Sequence, residues 1–368
     1  MTIYILLLLL VSFFSILEIA TVNNENADIQ KRFISRKTSK RLFHFIILVL
    51  ILIQGLRAKT VGGDLFDNYA SLYDACGRIR LGESLSFAVN RGYEVGYVIL
   101  NKICHVISNG NLQFLLTIIA CIYLLPLARL INIYSENRFF GLFVFLASYM
   151  YNMSMNNLRS TIANGIIIFF LPFLVRKKYI WFLLGVGLAS LFHQTSFIFL
   201  FFFVTIFISS KYVLLLISIL AGFAFSFGYP LFISLISKYL PRYTTYLSHE
   251  SNGGITFLAF LIFLMSIILI LSNQTFLEEE KTKIFLRMLL CGILLQMISL
   301  RSPIFVRAVY YHLISLPILL PAMVNKCKLS KESRPILLFV IILCFWGYYI
   351  FFLYANNTLT VPYEFYFS

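Results

Sequence analysis

Read for apolar and polar positions, the chain alternates long hydrophobic runs with short polar segments. The runs fall at 3–21, 42–56, 112–134, 138–152, 160–175, 179–192, 196–210, 212–228, 254–273, 284–300, 304–324 and 335–354. A helix needs about 20 predominantly apolar residues to cross a bilayer, and only helices or closed barrels satisfy their backbone in hydrocarbon. The pattern therefore predicts an all-α polytopic membrane protein of about 12 transmembrane helices. A further segment, 93–108 (YEVGYVILNKICHVIS), carries Glu94, Lys102 and His105. Those charges predict a partly inserted or interfacial helix in place of a thirteenth crossing. Residues 1–21 lack a basic leader and a small-residue cleavage site, which reads as a retained first span.

Cations set the expected orientation. Lys31, Arg32, Arg36, Lys37, Lys40 and Arg41 form one cluster, Arg176, Lys177 and Lys178 a second, and Lys326, Lys328, Lys331 and Arg334 a third. Twelve crossings put all three on one side, whereas a crossing at 93–108 would separate the first from the others. By the positive-inside rule that side is the cytoplasm. Segments 57–111 and 229–253 are then expected to face outward. Polar stretches reach roughly 35 residues, short of the ~50 that an independent domain takes. Residues 1–368 thus read as a single integral membrane domain.

Composition narrows the class. The chain is 60% hydrophobic and only 12% charged, with mean hydropathy +0.88. Soluble domains carry about 25% charged residues. A net charge of +15 would suggest nucleic acid in a soluble protein, but here the cations sit between apolar runs and read as topology. Six scattered cysteines, without CxxC or a Cys/His cluster, indicate neither a metal site nor a disulfide framework. There is no GxxxxGK[ST], DxD, GxGxxG or HExxH motif, so nucleotide-driven pumping and cytosolic nucleotide-sugar transfer lose their usual signatures.

Candidate chemistry lies in polar residues on the expected outer side. Arg159 opens a span in MNNLRSTIANG, and Arg301 and Arg307 flank another in LRSPIFVRAVYYH. A guanidinium is permanently charged and its fork of donors matches phosphate oxygens, so the three arginines suit a lipid-linked phosphate or pyrophosphate. Anchoring at headgroups is the plainer alternative. His193 in SLFHQTSF is placed to act as a base or to bond a sugar hydroxyl, the alternative being an interfacial histidine held by a carbonyl. Asp64, Asp67 and Tyr69, in TVGGDLFDNY, offer hydroxyl acceptors and a ring face. Asp64 is also placed to cap the following helix. Glu94 is a carboxylate in an otherwise apolar stretch and a candidate for function.

Taken in order, VGGDLFDNY (61–69), YEVGYVILNKI (93–103), NNLRSTIANGI (156–166), HQTSF (193–197), RAVYY (307–311) and VPYEF (361–365) resemble the EpsG-like exopolysaccharide polymerases. That family overlaps the Wzy-type O-antigen polymerases. Ser160 departs from the pattern, where glutamine is expected after the arginine. The resemblance implies a bacterial inner-membrane enzyme joining undecaprenyl-pyrophosphate-linked oligosaccharides on the outer face, with no cofactor and no metal. It implies Arg159, Arg301 and Arg307 on pyrophosphate and His193 or Glu94 as base. Asp64, Asp67 and Tyr69 would position the acceptor or the loop. A chain-length regulator is a further candidate partner. Two rivals are weighed against this. A lipid-linked oligosaccharide flippase should line a path through both leaflets with charge, whereas these candidates gather at one end. An acyltransferase would need a histidine–carboxylate pair aligned with a cytoplasmic acyl donor, whereas His193 is expected outside.

Overall fold

The computed structural model describes residues 1–22, 36–208, 254–302, 305–330 and 332–367, with scattered positions between 220 and 238. Among the described residues every regular element is helical, and two isolated backbone bridges join Arg57 to Phe365 and Ser272 to Cys327. The helices are α1 (Thr2–Val22), α2 (Arg36–Gly55), α3 (Ala70–Arg78), α4 (Ser84–Arg91), α5 (Val95–Ile107), α6 (Leu112–Tyr134), α7 (Arg138–Ala147), α8 (Met150–Asn156), α9 (Leu158–Val175) and α10 (Tyr179–Ser190). There follow α11 (Ile198–Thr205), α12 (Gly254–Leu271), α13 (Gln274–Glu278), α14 (Glu280–Ser299), α15 (Val306–His312), α16 (Leu316–Asn325) and α17 (Arg334–Ala355).

Seven stretches among the described residues are long and apolar enough to cross a membrane: most of α2, then α6, α9, α12, α14, the continuous stretch Val306–Asn325, and α17. Shorter apolar helices occur at Thr2–Glu18, Val95–Ile107, Arg138–Ala147, Tyr179–Ser190 and Gln194–Thr205. The fold is thus that of a multi-pass helical membrane protein, with seven full-length candidate spans against the twelve expected. The expected span 212–228 and the expected outer segment 229–253 fall largely outside the described residues. The run 138–152 is not one helix. Tyr149 takes a left-handed backbone (φ 63°), which ends α7 and starts α8.

The chain divides into two compact units, residues 1–197 with 329–368, and residues 198–328. In the first, α6 packs on both α2 and α9. Helices in lipid associate by close packing at small residues, and Gly165 of α9 supplies this. A Cβ there would stand 2.2 Å from the Ile122 carbonyl oxygen of α6. Side-chain caps start α6 and α7, where Asn111 accepts from the Gln113 N–H (2.9 Å) and Asn137 from the Phe140 N–H (2.8 Å).

These pairings sort the first unit into two ends. Gly55, closing α2, abuts Thr117 near the start of α6, so the two helices are antiparallel. Helix α9 follows α6 in the same direction, with Leu158 and Ile162 in one cluster with Leu115, Leu116 and Ile119, and Gly165 meeting Ile122 further along. Residues 37–41 and 176–178 therefore share one end, where Glu18 accepts from Ser39 (3.3 Å) and from the Phe139 N–H (3.1 Å). At the other end lie residues 56–64, 156–159 and 356–367. Helix α5 begins beside the first turn of α9 and ends at the loop entering α6. Both of its ends thus sit at this second end, and it lies across the unit without traversing it.

Residues 356–367 fold back over that second end. Tyr149 Oη and Thr358 Oγ1 are 2.9 Å apart, Asn152 donates to Thr360 Oγ1 (3.1 Å), and Tyr4 donates to the Thr360 carbonyl (3.1 Å). Gly62, at φ 106°, donates its N–H to the Leu359 carbonyl (2.8 Å), and Gly63 donates to Thr358 (3.1 Å). Beneath them Arg57 is fully buried, with its guanidinium on the carbonyls of Gln54, Val61 (3.2 Å) and Met155 (2.9 Å). Burial pulls that group down to about 10, which leaves it charged at neutral pH. It thereby holds the C-terminal carbonyls of α2 and α8.

In the second unit α14 packs against α12 and α15. Gln296 donates to the Gly254 carbonyl (3.0 Å), and Arg287 bonds the carbonyls of Ile206 (2.5 Å) and Ile208 (2.8 Å) beyond α11. His312 is buried and stacks on Phe199, with ring centroids 4.9 Å apart.

Candidate functional site

Helix α4 stops at Gly92, whose left-handed backbone (φ 68°) reverses the chain, and Tyr93 donates back to Ala88 (2.9 Å). Glu94 follows in an extended conformation as the residue preceding α5. The first turn of α5 docks on the end of α10 through the Gly96 N–H and the Leu191 carbonyl, 2.9 Å apart. Those two contacts carry the Glu94 carboxylate between α9 and the segment after α10.

There it meets three donors. Arg159 Nη1 donates to Oε2 at 2.7 Å, and His193 Nδ1 lies 3.3 Å from Oε1. The Gln194 N–H donates to the same Oε1 at 3.3 Å. The Glu94 side chain is 8% exposed, that of His193 10% and that of Arg159 18%. Burial of Glu94 opposes its charge, but the His193 hydrogen bond and the Arg159 charge outweigh burial and hold its carboxyl at about 2. It is therefore an ionised acceptor, and a weak base, at neutral pH.

Arg159 is gripped on its other faces by tyrosines. Its Nε reaches Tyr69 Oη at 3.5 Å, and its guanidinium lies over the Tyr93 ring, 5.2 Å from the centroid. Tyr69 closes a short π-helical turn, Leu65–Tyr69, and packs edge-on against Tyr97 (5.6 Å). Asp64 opens that turn. Its side chain makes no capping bond, contrary to the expectation, because its backbone is already helical (φ −60°, ψ −26°). Its own N–H instead donates to Asn156 Oδ1 at 2.8 Å. Asp67 is exposed on the same turn. Ser160, where glutamine was expected, turns its hydroxyl back to the Asn157 carbonyl (2.9 Å).

The structure thus gathers Glu94, Arg159, His193 and Tyr69, with Asp64 and Asp67 on the adjoining turn. Arg301 and Arg307 belong to the second unit. Arg301 is exposed after α14 and Arg307 is half-buried in the first turn of α15. Three contributors escape a reading of charged residues. Tyr93 adjoins Glu94 and was visible only as an aromatic neighbour. Asn156 lies in the Asn156–Asn157 pair ahead of Arg159. Gln194 acts through its backbone, for which no side-chain signal exists.

Residues 40–365 match the EpsG family. No curated protein and no solved structure matches the chain.

Proposed function

The chain belongs to the EpsG family, a family of Wzy-like polysaccharide polymerases, and from that premise we propose that it joins lipid-pyrophosphate-linked oligosaccharide repeats. The observation that carries this reading is the clasp of Glu94 between His193 and Arg159. The carboxylate holds Nδ1 of His193, and Nε2, itself buried, is the nitrogen by which the ring takes a proton. This is the arrangement of an oriented general base. A sugar hydroxyl of the incoming repeat loses its proton to that nitrogen as its oxygen attacks the anomeric carbon of the growing chain. The bond from that carbon to the pyrophosphate oxygen breaks, and undecaprenyl pyrophosphate departs. Arg159 offsets the charge that grows on the departing pyrophosphate. Arg301 and Arg307, in the second unit, are candidates for an anionic ligand in their own right. Glu94 serves as the orienting group, since a carboxyl held at about 2 has little affinity for a proton. Tyr69 and Tyr93 hold the guanidinium, and Asp64 and Asp67 stand by for acceptor hydroxyls.

Sidedness supports the same reading. Residues 37–41, 176–178 and 334 share the end of the first unit opposite the clasp, and cytoplasmic loops are the ones enriched in Lys and Arg. The clasp then faces outward from the bacterial inner membrane, where lipid-linked repeats are delivered. A flippase would need charge along both halves of its path, and among the described residues of the first unit the Glu94–Arg159–His193 cluster lies at one end.

The test is the length of the surface glycan. Cells lacking the gene should display a single repeat unit on its acceptor, and the wild-type chain should restore polymer while His193→Ala does not. Absence of glycan of any length from the surface of the deletion strain would point to transport and overturn the polymerase reading.

A further inference from the structure

Helix α4, with the single 3-10 turn Leu81–Glu83 that leads into it, carries an apolar stripe that the first unit leaves uncovered. Leu81, Leu85 and Val89 recur every fourth residue and are 58%, 62% and 71% exposed. The helix is not simply turned the wrong way, because its packing face is already filled. Ser84 and Ala88 are 2% and 1% exposed, and Ala88 belongs to the cluster with Tyr97, Val98 and Cys104. Ser86 and Asn90, a further 100° round the helix from the stripe, are exposed and polar. A solvated loop has no reason to keep three large apolar side chains in register on one face.

Charge and position indicate what covers the stripe. Arg78, Arg80 and Arg91 are exposed at the two ends of the same segment. Among the described residues none of these guanidiniums has a carboxylate within ion-pair distance. Glu83 is instead turned back on the Arg80 N–H at 2.9 Å. The layer is tied at both ends to candidate spans, α2 before it and α6 after it. The end of α5 also exposes apolar side chains, Val106 at 60% and Ile107 at 67%. An apolar stripe rimmed by arginines, held at the ends of membrane spans, has the makeup of a helix lying in the plane of a leaflet. A second copy of the chain is a poorer occupant, since three side chains fall far short of the ~1,200 Å² that a stable interface buries.

We propose that α4 and the turn before it form an interfacial segment, with Leu81, Leu85 and Val89 in the acyl–headgroup boundary of the leaflet at the clasp end and Arg78, Arg80 and Arg91 on anionic phospholipid headgroups. The proposal is independent of the reaction assigned above. Only Gly92 and Tyr93 link the end of α4 at Arg91 to Glu94, so its depth sets the height of the carboxylate above the hydrocarbon. That height is where the headgroup of any membrane-anchored substrate lies.

Fluorescence quenching by brominated lipid tests it. In the full chain, with Trp181→Phe and Trp346→Phe removing the two native indoles, Leu85→Trp or Asn90→Trp supplies a single reporter. Each protein is reconstituted in vesicles of phosphatidylcholine or phosphatidylglycerol brominated on the upper acyl chain. Quenching of Leu85→Trp should exceed that of Asn90→Trp about threefold or more, as expected for a buried against a solvated face. It should be stronger with brominated phosphatidylglycerol than with phosphatidylcholine, and combined Arg78→Gln, Arg80→Gln and Arg91→Gln should erase that preference. Should Leu85→Trp lower the yield of folded protein, Val89→Trp reports from the same stripe. Equal quenching at both positions, or equal access of aqueous iodide to both, overturns the proposal. Shielding of Leu85→Trp from iodide that depends on the protein-to-lipid ratio, without bromine quenching, would assign the stripe to a second copy and also overturn it. A quenched Leu85→Trp with no headgroup preference would overturn the role given to the arginines.

Discussion

Nδ1 of His193 lies 3.3 Å from Oε1 of Glu94, although 99 residues separate them in sequence. Arg159 completes the contact on the other oxygen, so one carboxylate is shared by an imidazole and a guanidinium. The consequences of that sharing can be measured.

Acid should loosen the clasp. The carboxyl of Glu94 is held at about 2, below its ordinary value of 4.5. A depressed carboxyl contributes stability that is whole above the unfolded value and lost as pH falls toward the folded one. The melting temperature of the purified protein in detergent should therefore owe nothing to Glu94 titration above about pH 5. Between 4.5 and about 2 it should fall, and Glu94→Gln should flatten part of that fall. Identical acid slopes for wild type and Glu94→Gln would remove the clasp as their cause.

Polymerisation should respond to the fork of Arg159 as well as to its charge. A charge-assisted hydrogen bond is worth about 1.5–3 kcal/mol, so Arg159→Ala should slow transfer by about 10- to 100-fold. Arg159→Lys keeps the charge but cannot reach Glu94, Tyr69 and the pyrophosphate together, and should remain defective. Modal glycan length on a gel, with membrane abundance checked by blot, decides it. Normal polymer from Arg159→Ala would return this residue to a headgroup anchor.

Glu94→Gln should alter the pH dependence of the reaction in addition to its rate. Removing the carboxylate takes away the charge that favours a proton on the site's base. The acid limb of the pH–rate profile should then move to lower pH. Initial rates with lipid-linked repeats across a pH series test this, and an unmoved limb would separate the base from Glu94.

Close helix packing should be fragile at one glycine and tolerant at another. A methyl group at Gly165 meets the Ile122 carbonyl at 2.2 Å, while one at Gly187 meets nothing within 4 Å. Gly165→Ala should cost about 1–3 kcal/mol, the usual penalty for overpacking, and Gly187→Ala should be near neutral. Thermal unfolding in detergent compares the two. Equal melting temperatures would mean that α6 and α9 are free to separate.

Sidedness is open to labelling. Asn90 and Lys178 are exposed at opposite ends of the first unit. After Cys121→Ser and Cys344→Ser, which replace the two half-buried cysteines, Asn90→Cys should react with an impermeant maleimide in intact cells. Lys178→Cys should react only after the membrane is opened. The reverse pattern would turn the clasp toward the cytoplasm.

What the amino-acid sequence reveals here divides by range. Helices α6, α9 and α17 are visible because length and hydropathy are local properties, and their observed limits lie within two residues of the apolar runs, whereas α2 begins six residues early, in its cationic flank. The break at Tyr149 is not visible, since residues on both sides are as apolar as a continuous span. The apolar runs do not show that Glu94 meets Arg159 and His193, because separations of 65 and 99 positions carry no periodic signal. Only the order of short motifs grouped them. Arg57 looks like one more flanking cation in sequence, whereas the structure buries it among carbonyls. Burial of a charge by backbone atoms leaves no mark on side-chain chemistry.

The first unit is discontinuous, made of residues 1–197 and 329–368. The turn at Gly62 and Gly63 that leads to Asp64 is held by carbonyls of Leu359 and Thr358, translated about 300 positions later. At roughly 5–20 residues per second, that is an interval of tens of seconds. Throughout it the early helices can already be inserted, yet two amide groups at the entrance to the site wait for their acceptors. Biogenesis therefore separates insertion from completion, and a chain stalled before residue 356 would sit in the membrane with its polar end unfinished.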